Sequence, residues 1–420
     1  MEKADFGYIA EVPAIFDENW RYHREASWYL RDRSKGEAFD VEREVRVFPV
    51  RSSISQYAYK LADFLAWCDW VERDWREVEY HRDLVSRYQQ HMLRGNWAAE
   101  PGQKLSPSTV NGRVDEAVRF SNWAAKRGLR KPFKVQTKTT HRKVAGIRSD
   151  SHKLTNIEAR IGKVRPKPIY LSIPTPAKVD QWLRRFAAER GETKALMAEL
   201  ILRTAMRREE VAQWRIDYLP LDLGKWKVMG DYVSALIEHG TKGNKPRYID
   251  VPLDLAERLV RYQNVIRQKS RMRYVTAGKT EEEQKRRLRE KEPRLFLSEH
   301  TGTPVSGKKL YQAWHEVTSR PVDGWSPHLG RHYWTCKTLL ERHRERVKML
   351  GEGAVVTPDW ATALARDDLL MFVKPQLGHI DGKTSEAYTV WLGKMLRSAT
   401  ETGEWIESLQ IAAPENQKET

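Results

Sequence analysis

Leu377-Gly378-His379-Ile380-Asp381-Gly382-Lys383-Thr384-Ser385-Glu386-Ala387-Tyr388 is the stretch from which the rest of the chain can be read. It sets an imidazole nine residues ahead of a tyrosine, with a glycine-containing turn between them and a short helical pattern running into the tyrosine. One tyrosine among sixteen is ordinarily a packing or surface residue, so its meaning depends on what lies upstream.

Three upstream segments carry the groups that a tyrosine needs to attack a phosphodiester. Thr204-Ala205-Met206-Arg207-Arg208-Glu209-Glu210-Val211 offers Arg207 at the end of an apolar helix. Gly240-Thr241-Lys242-Gly243-Asn244-Lys245-Pro246-Arg247 puts Lys242 in a hairpin turn, and Pro327-His328-Leu329-Gly330-Arg331-His332 holds a His-x-x-Arg pair. In chain order the set is Arg, Lys, His-x-x-Arg, His, Tyr. That ordered set resembles the tyrosine recombinase (phage integrase) family over residues 170 to 400, with weaker support from 50 to 130.

The resemblance matches Arg207 to the first arginine of the family, Glu210 to the acidic residue one turn later and Lys242 to the hairpin lysine. His328 and Arg331 match the His-x-x-Arg box, His379 the later Leu-Gly-His position and Tyr388 the nucleophile. Two departures stand out: Ala205 where the family usually has Gly, and Gly330 where it usually has a larger apolar residue. Arg331 and His379 are also farther apart than in compact members, so Glu341 to Leu370 reads as an insertion. The resemblance implies a mainly α fold with a small antiparallel β-sheet, built from a helical core-binding domain and a mixed α/β catalytic domain. It implies double-stranded DNA as partner, cut and rejoined through a 3′-phosphotyrosyl link with no metal or nucleotide cofactor. A homo-oligomer, tetrameric on DNA, with accessory DNA-bending or directionality factors, belongs to the same implication.

The residue types suit the chemistry. A phenol has a pKa near 10, so the nucleophile needs nearby cations and hydrogen bonds that favour phenolate. Attack on phosphorus builds charge on the non-bridging oxygens, to which Arg207 and Arg331 can each present a planar, permanently charged fork. Lys242 is the candidate acid for the 5′-oxygen leaving group. His328 can exchange a proton with Tyr388, His379 can donate to the phosphate, and Glu210 can orient the cluster. Bland readings remain beside these. Arg207 and Arg208 are adjacent and either can pair with Glu209 or Glu210; Lys245 and Arg247 flank the lysine turn; His332 rivals His328, and His239 lies beside the turn.

A chain of 420 residues is long enough for two or three domains. A formal charge of +17 favours polyanionic partners and strong salt dependence, without specifying a fold. Two cysteines exclude a disulfide framework and a Cys-rich zinc site. No apolar run approaches membrane-spanning length and the N-terminus lacks a signal pattern, so a cytoplasmic protein with no membrane partner is expected. Most of the sixteen tryptophans should lie in cores.

In order, residues 1–50 read as an extension of unknown role, its packing on the next domain being the simpler account and Val45 to Val50 a strand-like alternation. Residues 51–130 read as a helical domain: one helix from Ser53, a stripe at Leu84, Val85, Tyr88 and Met92, and a helix opened by Ser106-Pro107 with Val110, Val114, Ala117, Val118 and Ser121 on one face. Residues 131–170 read as a basic interdomain linker, for want of apolar periodicity. Residues 171–400 form the expected catalytic domain. It opens with a Thr175-Pro176 cap, has a small sheet between Trp226 and Val251, a solvated charge run at 277–294 and a strand at Leu295-Phe296-Leu297. A polar tail, 401–420, follows. Other functions with the same constellation are a topoisomerase IB or telomere resolvase; a catalytically silent DNA-binding protein of the same fold is the alternative from another class.

Overall fold

The computed structural model describes residues 11–35, 49, 51–100, 102–143, 154–165, 170–241, 246–351, 358–378, 382–397, 405 and 407. The alternation at Val45 to Val50 lies almost wholly outside them. The chain divides into two units, Met1–Pro168 and Ile169–Thr420, each with its own apolar core. The described residues are mainly helical, with one two-stranded and one three-stranded antiparallel sheet among them. Among the described residues no helix is long and apolar enough to cross a membrane.

The first unit packs α1 (Arg24–Ser34), α2 (Arg51–Trp70), α3 (Gln89–Arg94) and α4 (Pro107–Lys126) around a core rich in aromatic side chains. Helix α4 starts where Ser106 Oγ accepts from the Thr109 amide at 3.2 Å, with Pro107 in the first turn, and its five expected apolar-face residues are all buried. The stripe at Leu84, Tyr88 and Met92 is also buried, but residues Tyr80–Tyr88 wind as a wider π-helix. Buried Asp83 accepts the Glu79 amide at 2.8 Å there, satisfying an amide at the start of that winding. Within residues 1–50, α1 belongs to this core: Tyr29 packs edge-on against Phe120 and Trp123, and its hydroxyl donates to buried Glu116 at 2.7 Å.

The stretch that its charge marks as a linker is largely structured. Strand β1 (Thr137–Lys143) pairs antiparallel with β2 (Leu154–Arg160). The base of this hairpin is fastened to α4, with Arg160 donating to Asp115 at 2.5 Å and Asn111 exchanging hydrogen bonds with Val164 at 2.8 and 3.0 Å. The sequence conceals this because a strand pair held by polar contacts at its ends needs no apolar alternation.

In the second unit, α5 (Pro176–Arg190) begins at Pro176, though the Thr175 side chain makes no cap bond. Val179, Trp182 and Phe186 turn inward, and Trp182 meets Trp314 and Trp325 with centroids 4.6 and 5.6 Å away. Helix α6 (Glu192–Thr204) is buried along most of its length and ends at Ala205, whose φ of 55° is left-handed. Short α7 (Arg208–Ala212) follows. Strands β3 (Val228–Met229), β4 (Tyr232–Ile237) and β5 (Arg247–Pro252) form the sheet, with Ser234 opposite Asp250. Helices α8 (Leu253–Asn264), α9 (Ile266–Thr276) and α10 (Glu281–Arg289) come next. The charge run is α10, which buries none of its residues and pairs Glu281 with Lys285 and Glu283 with Arg287 at 2.6 and 2.8 Å. Leu295-Phe296-Leu297 is not a strand: isolated bridges join Arg294, just before it, to Arg215 and Leu297 to Pro304.

Helix α11 (Gly307–His315) precedes α12 (Pro327–Leu350), which is opened by Ser326 Oγ accepting the Leu329 amide at 3.3 Å. The stretch that reads as an insertion continues α12 and adds α13 (Pro358–Asp368) and a π-helical turn, Leu369–Val373. Arg346 pairs with buried Asp368 at 2.5 Å, and Leu369 and Val373 join the core, so this stretch is structural tissue of the unit. Helix α14 (Lys374–Leu377) and α15 (Gly382–Arg397) complete it. From the tail, Trp405 is buried against Tyr333 and Trp391.

The departure at Gly330 has a packing cause: a Cβ there would stand 3.1 Å from Leu202 and 3.2 Å from the Trp314 ring. Both neighbours are core side chains, packed on different elements, and each would have to give by a few tenths of an ångström, so Gly330→Ala is expected to cost about 1–3 kcal/mol of stability, read from the midpoint of chemical denaturation.

Candidate active site

Apolar α6 carries the chain to a turn at Ala205, and Arg207 emerges there as the residue capping α7. Its amide donates to Glu210 Oε2 at 2.7 Å and its guanidinium to Oε1 at 3.0 Å. Adjacent Arg208 instead pairs with Glu209 at 2.9 Å and lies over the Tyr311 ring. The two adjacent arginines thus have different partners, Arg207 the buried Glu210 and Arg208 the exposed Glu209 and Tyr311.

Glu210 is fully buried, and it is held by a residue that sequence reading treated only as a neighbour of the lysine turn. Arg247, the first residue of β5, grips both carboxylate oxygens at 2.6 and 2.7 Å. Burial by itself would raise the Glu210 carboxyl; the hydrogen bonds and charge of Arg247, then those of Arg207, outweigh it and hold the group below the ordinary carboxylate value. Arg247 also donates to the Gln376 carbonyl at 3.3 Å. The Gln376 amide group in turn donates to the Thr204 and Asp250 carbonyls at 2.9 Å each and accepts the Asp250 amide at 2.9 Å. The end of α6, strand β5 and α14 are stitched together through these two side chains. Nothing in the sequence marked Gln376.

Arg331, in the second turn of α12, is 6% exposed and donates to the carbonyls of Ala205 and Leu377. Both lie at helix C-termini, where backbone oxygens lack intrahelical partners and the helix dipole is negative. Desolvation, then the like charge of Arg207, brings its pKa down to about 9, so it stays cationic at neutral pH. A guanidinium has five donors, and two carbonyls leave some of them free to face an anion.

His328 is solvent-exposed at the start of α12, with its pKa lowered by partial desolvation and then by Arg331 and Arg207. Its ring lies edge to face on that of His332, one turn on, with centroids 4.5 Å apart. His332, and not His328, meets the tyrosine: Nδ1 stands 2.6 Å from the Tyr388 hydroxyl. Burial chiefly, then His328 and Arg331, push His332 down to about 4. Tyr388, on α15, is 1% exposed. Burial raises its phenol well above the ordinary value, against the opposing pull of a Thr335 hydrogen bond and of Arg331.

The structure therefore brings Arg207, Glu210, His328, Arg331 and Tyr388 into one neighbourhood and adds Arg247, His332 and Gln376. Lys242 and His379 lie outside the described residues. His239 shares a 3.2 Å contact with Tyr218. The cluster as described sets two guanidiniums near a buried phenol whose hydroxyl meets the His332 ring nitrogen.

No family model matches the chain and no curated protein matches it. Solved structures align with most of it at low identity. The XerH site-specific recombinase bound to difH substrate is 16% identical over 83% of this chain and 79% of its own, with a TM-score of 0.49. A lambda integrase(75-356) dimer bound to a COC′ core site is 10% identical over 87% and 94%, with a TM-score of 0.46. The Tn1549 transposon integrase with circular intermediate DNA is 14% identical over 81% and 90%, with a TM-score of 0.43.

Because Glu210 is buried in company, removing its main partner leaves an under-compensated charge. Arg247→Met should cost on the order of 3 kcal/mol at neutral pH. Without Arg247 the desolvation of Glu210 dominates, so its pKa moves above the unfolded value, and the deficit should shrink as pH falls through the carboxylate range and the group protonates. Denaturation midpoints at pH 7 and pH 4.5 check both the size and the sign.

Proposed function

We propose that this protein is a site-specific DNA recombinase that breaks and rejoins strands through a 3′-phosphotyrosyl intermediate formed on Tyr388. What supports the reading is the convergence of three segments distant in sequence: Arg331 lies within electrostatic reach of both Arg207 and Tyr388, and the hydroxyl of Tyr388 is paired with a histidine one residue after Arg331. Two permanent cations beside a phenol suit a phosphodiester better than any neutral substrate. The positive charge of the whole chain suits a duplex as its carrier.

In the reaction, the scissile phosphate docks against Arg207 and Arg331. Tyr388 Oη bonds to phosphorus, the bond from phosphorus to the 5′-oxygen breaks, and the 5′-oxygen takes up a proton, for which Lys242 is the assigned donor. Attack by a free 5′-hydroxyl of a second strand reverses the step and releases the tyrosine. The phosphodiester energy is kept in the tyrosyl link throughout, so the rejoining needs no nucleotide. Each guanidinium aimed at the developing charge contributes roughly 3–4 kcal/mol to lowering the barrier. Assembly as a homotetramer on DNA and use of His379 as a further phosphate donor complete the reading.

The test uses nicked duplexes drawn from both sides of the gene, incubated with protein in EDTA and run on a denaturing gel. Wild type should give a shifted, protease-sensitive band, and Tyr388→Phe should give none while binding the same DNA with unchanged affinity. A band that persists in Tyr388→Phe would move the nucleophile elsewhere. Relaxation of plasmids lacking any special site would favour a topoisomerase over a recombinase.

A further inference from the structure

The recombinase reading leaves one chemical step without an agent: where the proton of Tyr388 goes. The phenol is buried, so water cannot take it, and its pKa is raised, so it does not ionise unaided. His328, which motif order put forward for this role, is at the solvent-exposed start of α12. Among the described residues, His332 Nδ1 is the basic atom in hydrogen-bond contact with the phenol oxygen, at 2.6 Å. Thr335 also stands near that oxygen, but a neutral hydroxyl is no base, and it donates to the Arg331 carbonyl at 3.2 Å.

We propose that His332 is a catalytic residue, the general base that takes the Tyr388 proton through Nδ1 as the phenol oxygen bonds to phosphorus. This rests on the strand-transfer reading and assigns a step within it. The bookkeeping of the step is closed: the O–H pair of Tyr388 becomes the new O–P bond, the proton goes to Nδ1, the electron pair of the broken bond leaves on the 5′-oxygen, and that oxygen is protonated by a separate acid. On rejoining, the imidazolium returns the proton to Tyr388.

The surroundings explain why such a base stays idle until substrate arrives. Among the described residues, the titratable and charged groups facing His332 are His328 and Arg331 from its own helix and Tyr388 from α15; Arg207, from the α6–α7 turn, faces His328. Burial first, then the nearby His328 and Arg331, disfavour an imidazolium, so His332 is neutral at pH 7; in the tautomer that carries its proton on Nε2, the Nδ1 lone pair accepts the phenol O–H. A phosphate docked between Arg207 and Arg331 supplies the negative charge that makes the imidazolium tolerable. Proton transfer is thereby coupled to substrate binding, and the phenol is not ionised beforehand.

The experiment measures single-turnover formation of the covalent complex on the nicked duplexes, from pH 6 to 9, for wild type, His332→Asn and His332→Asn carrying 3,5-difluorotyrosine at position 388. Asn keeps a polar group at the place of Nδ1 but takes no proton. The expected result is a loss of about 10²–10⁴-fold in His332→Asn, a rate in that variant that climbs close to tenfold per pH unit where wild type does not, and recovery by the more acidic fluorinated phenol. The recovery is a signature that misfolding cannot give. His332→Asn at wild-type rate or faster, or a slow variant with the wild-type pH profile and no recovery, would overturn the role while wild-type activity leaves strand transfer standing. Absence of any covalent product from wild type would overturn the strand-transfer reading and this role with it.

Discussion

The buried carboxylate of Glu210 is the constraint on which the second unit is organised. An ionised group taken out of water is tolerated only when opposite charges and hydrogen bonds replace its solvation. Here the replacements come from both directions along the chain: Arg207 three residues before, and Arg247 from the first residue of β5. Satisfying one carboxylate thus fixes the turn after α6 against the strand after the lysine hairpin. Gln376 extends the lock to α14, and with it to the backbone just ahead of Gly378 and His379.

The same economy explains how several cations share one place. Arg331 is nearly as buried as Glu210, yet no carboxylate contacts it among its hydrogen bonds; it is solvated by the carbonyl ends of α6 and α14. Those oxygens would otherwise be orphans of the helix termini. Partial charges suffice to hold the guanidinium in place without neutralising it. Glu210, by contrast, is committed to Arg247 by a two-pronged bond, so its charge is largely spent inside the protein. Arg207, half-buried and singly bonded to Glu210 through its side chain, stands between these two conditions.

The first unit is held by other means. Its core is aromatic, and several of the polar groups that enter it arrive in sets: Tyr29 with Glu116 and Arg33, Tyr88 with Asp63, Trp123 with Asp32. Each hydroxyl or indole gives an apolar face to the core and a donor to a carboxylate, the arrangement that lets large aromatic residues be buried without an orphaned polar atom. Of the many tryptophans, Trp67, Trp182, Trp214, Trp314 and Trp325 are core residues, and Trp20 and Trp70 remain on the surface.

What the sequence determined by itself was local. Periodicity and caps located α2, α4, α5 and α6, because an amphipathic helix writes its buried face into residues three and four apart. The order Arg, Lys, His-x-x-Arg, His, Tyr is the sequence feature on which the proposed chemistry rests, because those side chains bring their charge and proton affinity wherever they are placed. The sequence did not determine which of two histidines one turn apart touches Tyr388, nor that Arg247 rather than Arg207 carries most of the pairing to Glu210. It did not mark Gln376, nor the β1–β2 pair within a stretch that reads as a linker. Each of these depends on contacts between residues from 37 to 172 positions apart, or on strand pairing without an apolar face. The direction a side chain takes across such distances is set by packing and by the need to pair buried charge, and only the tertiary structure decides that.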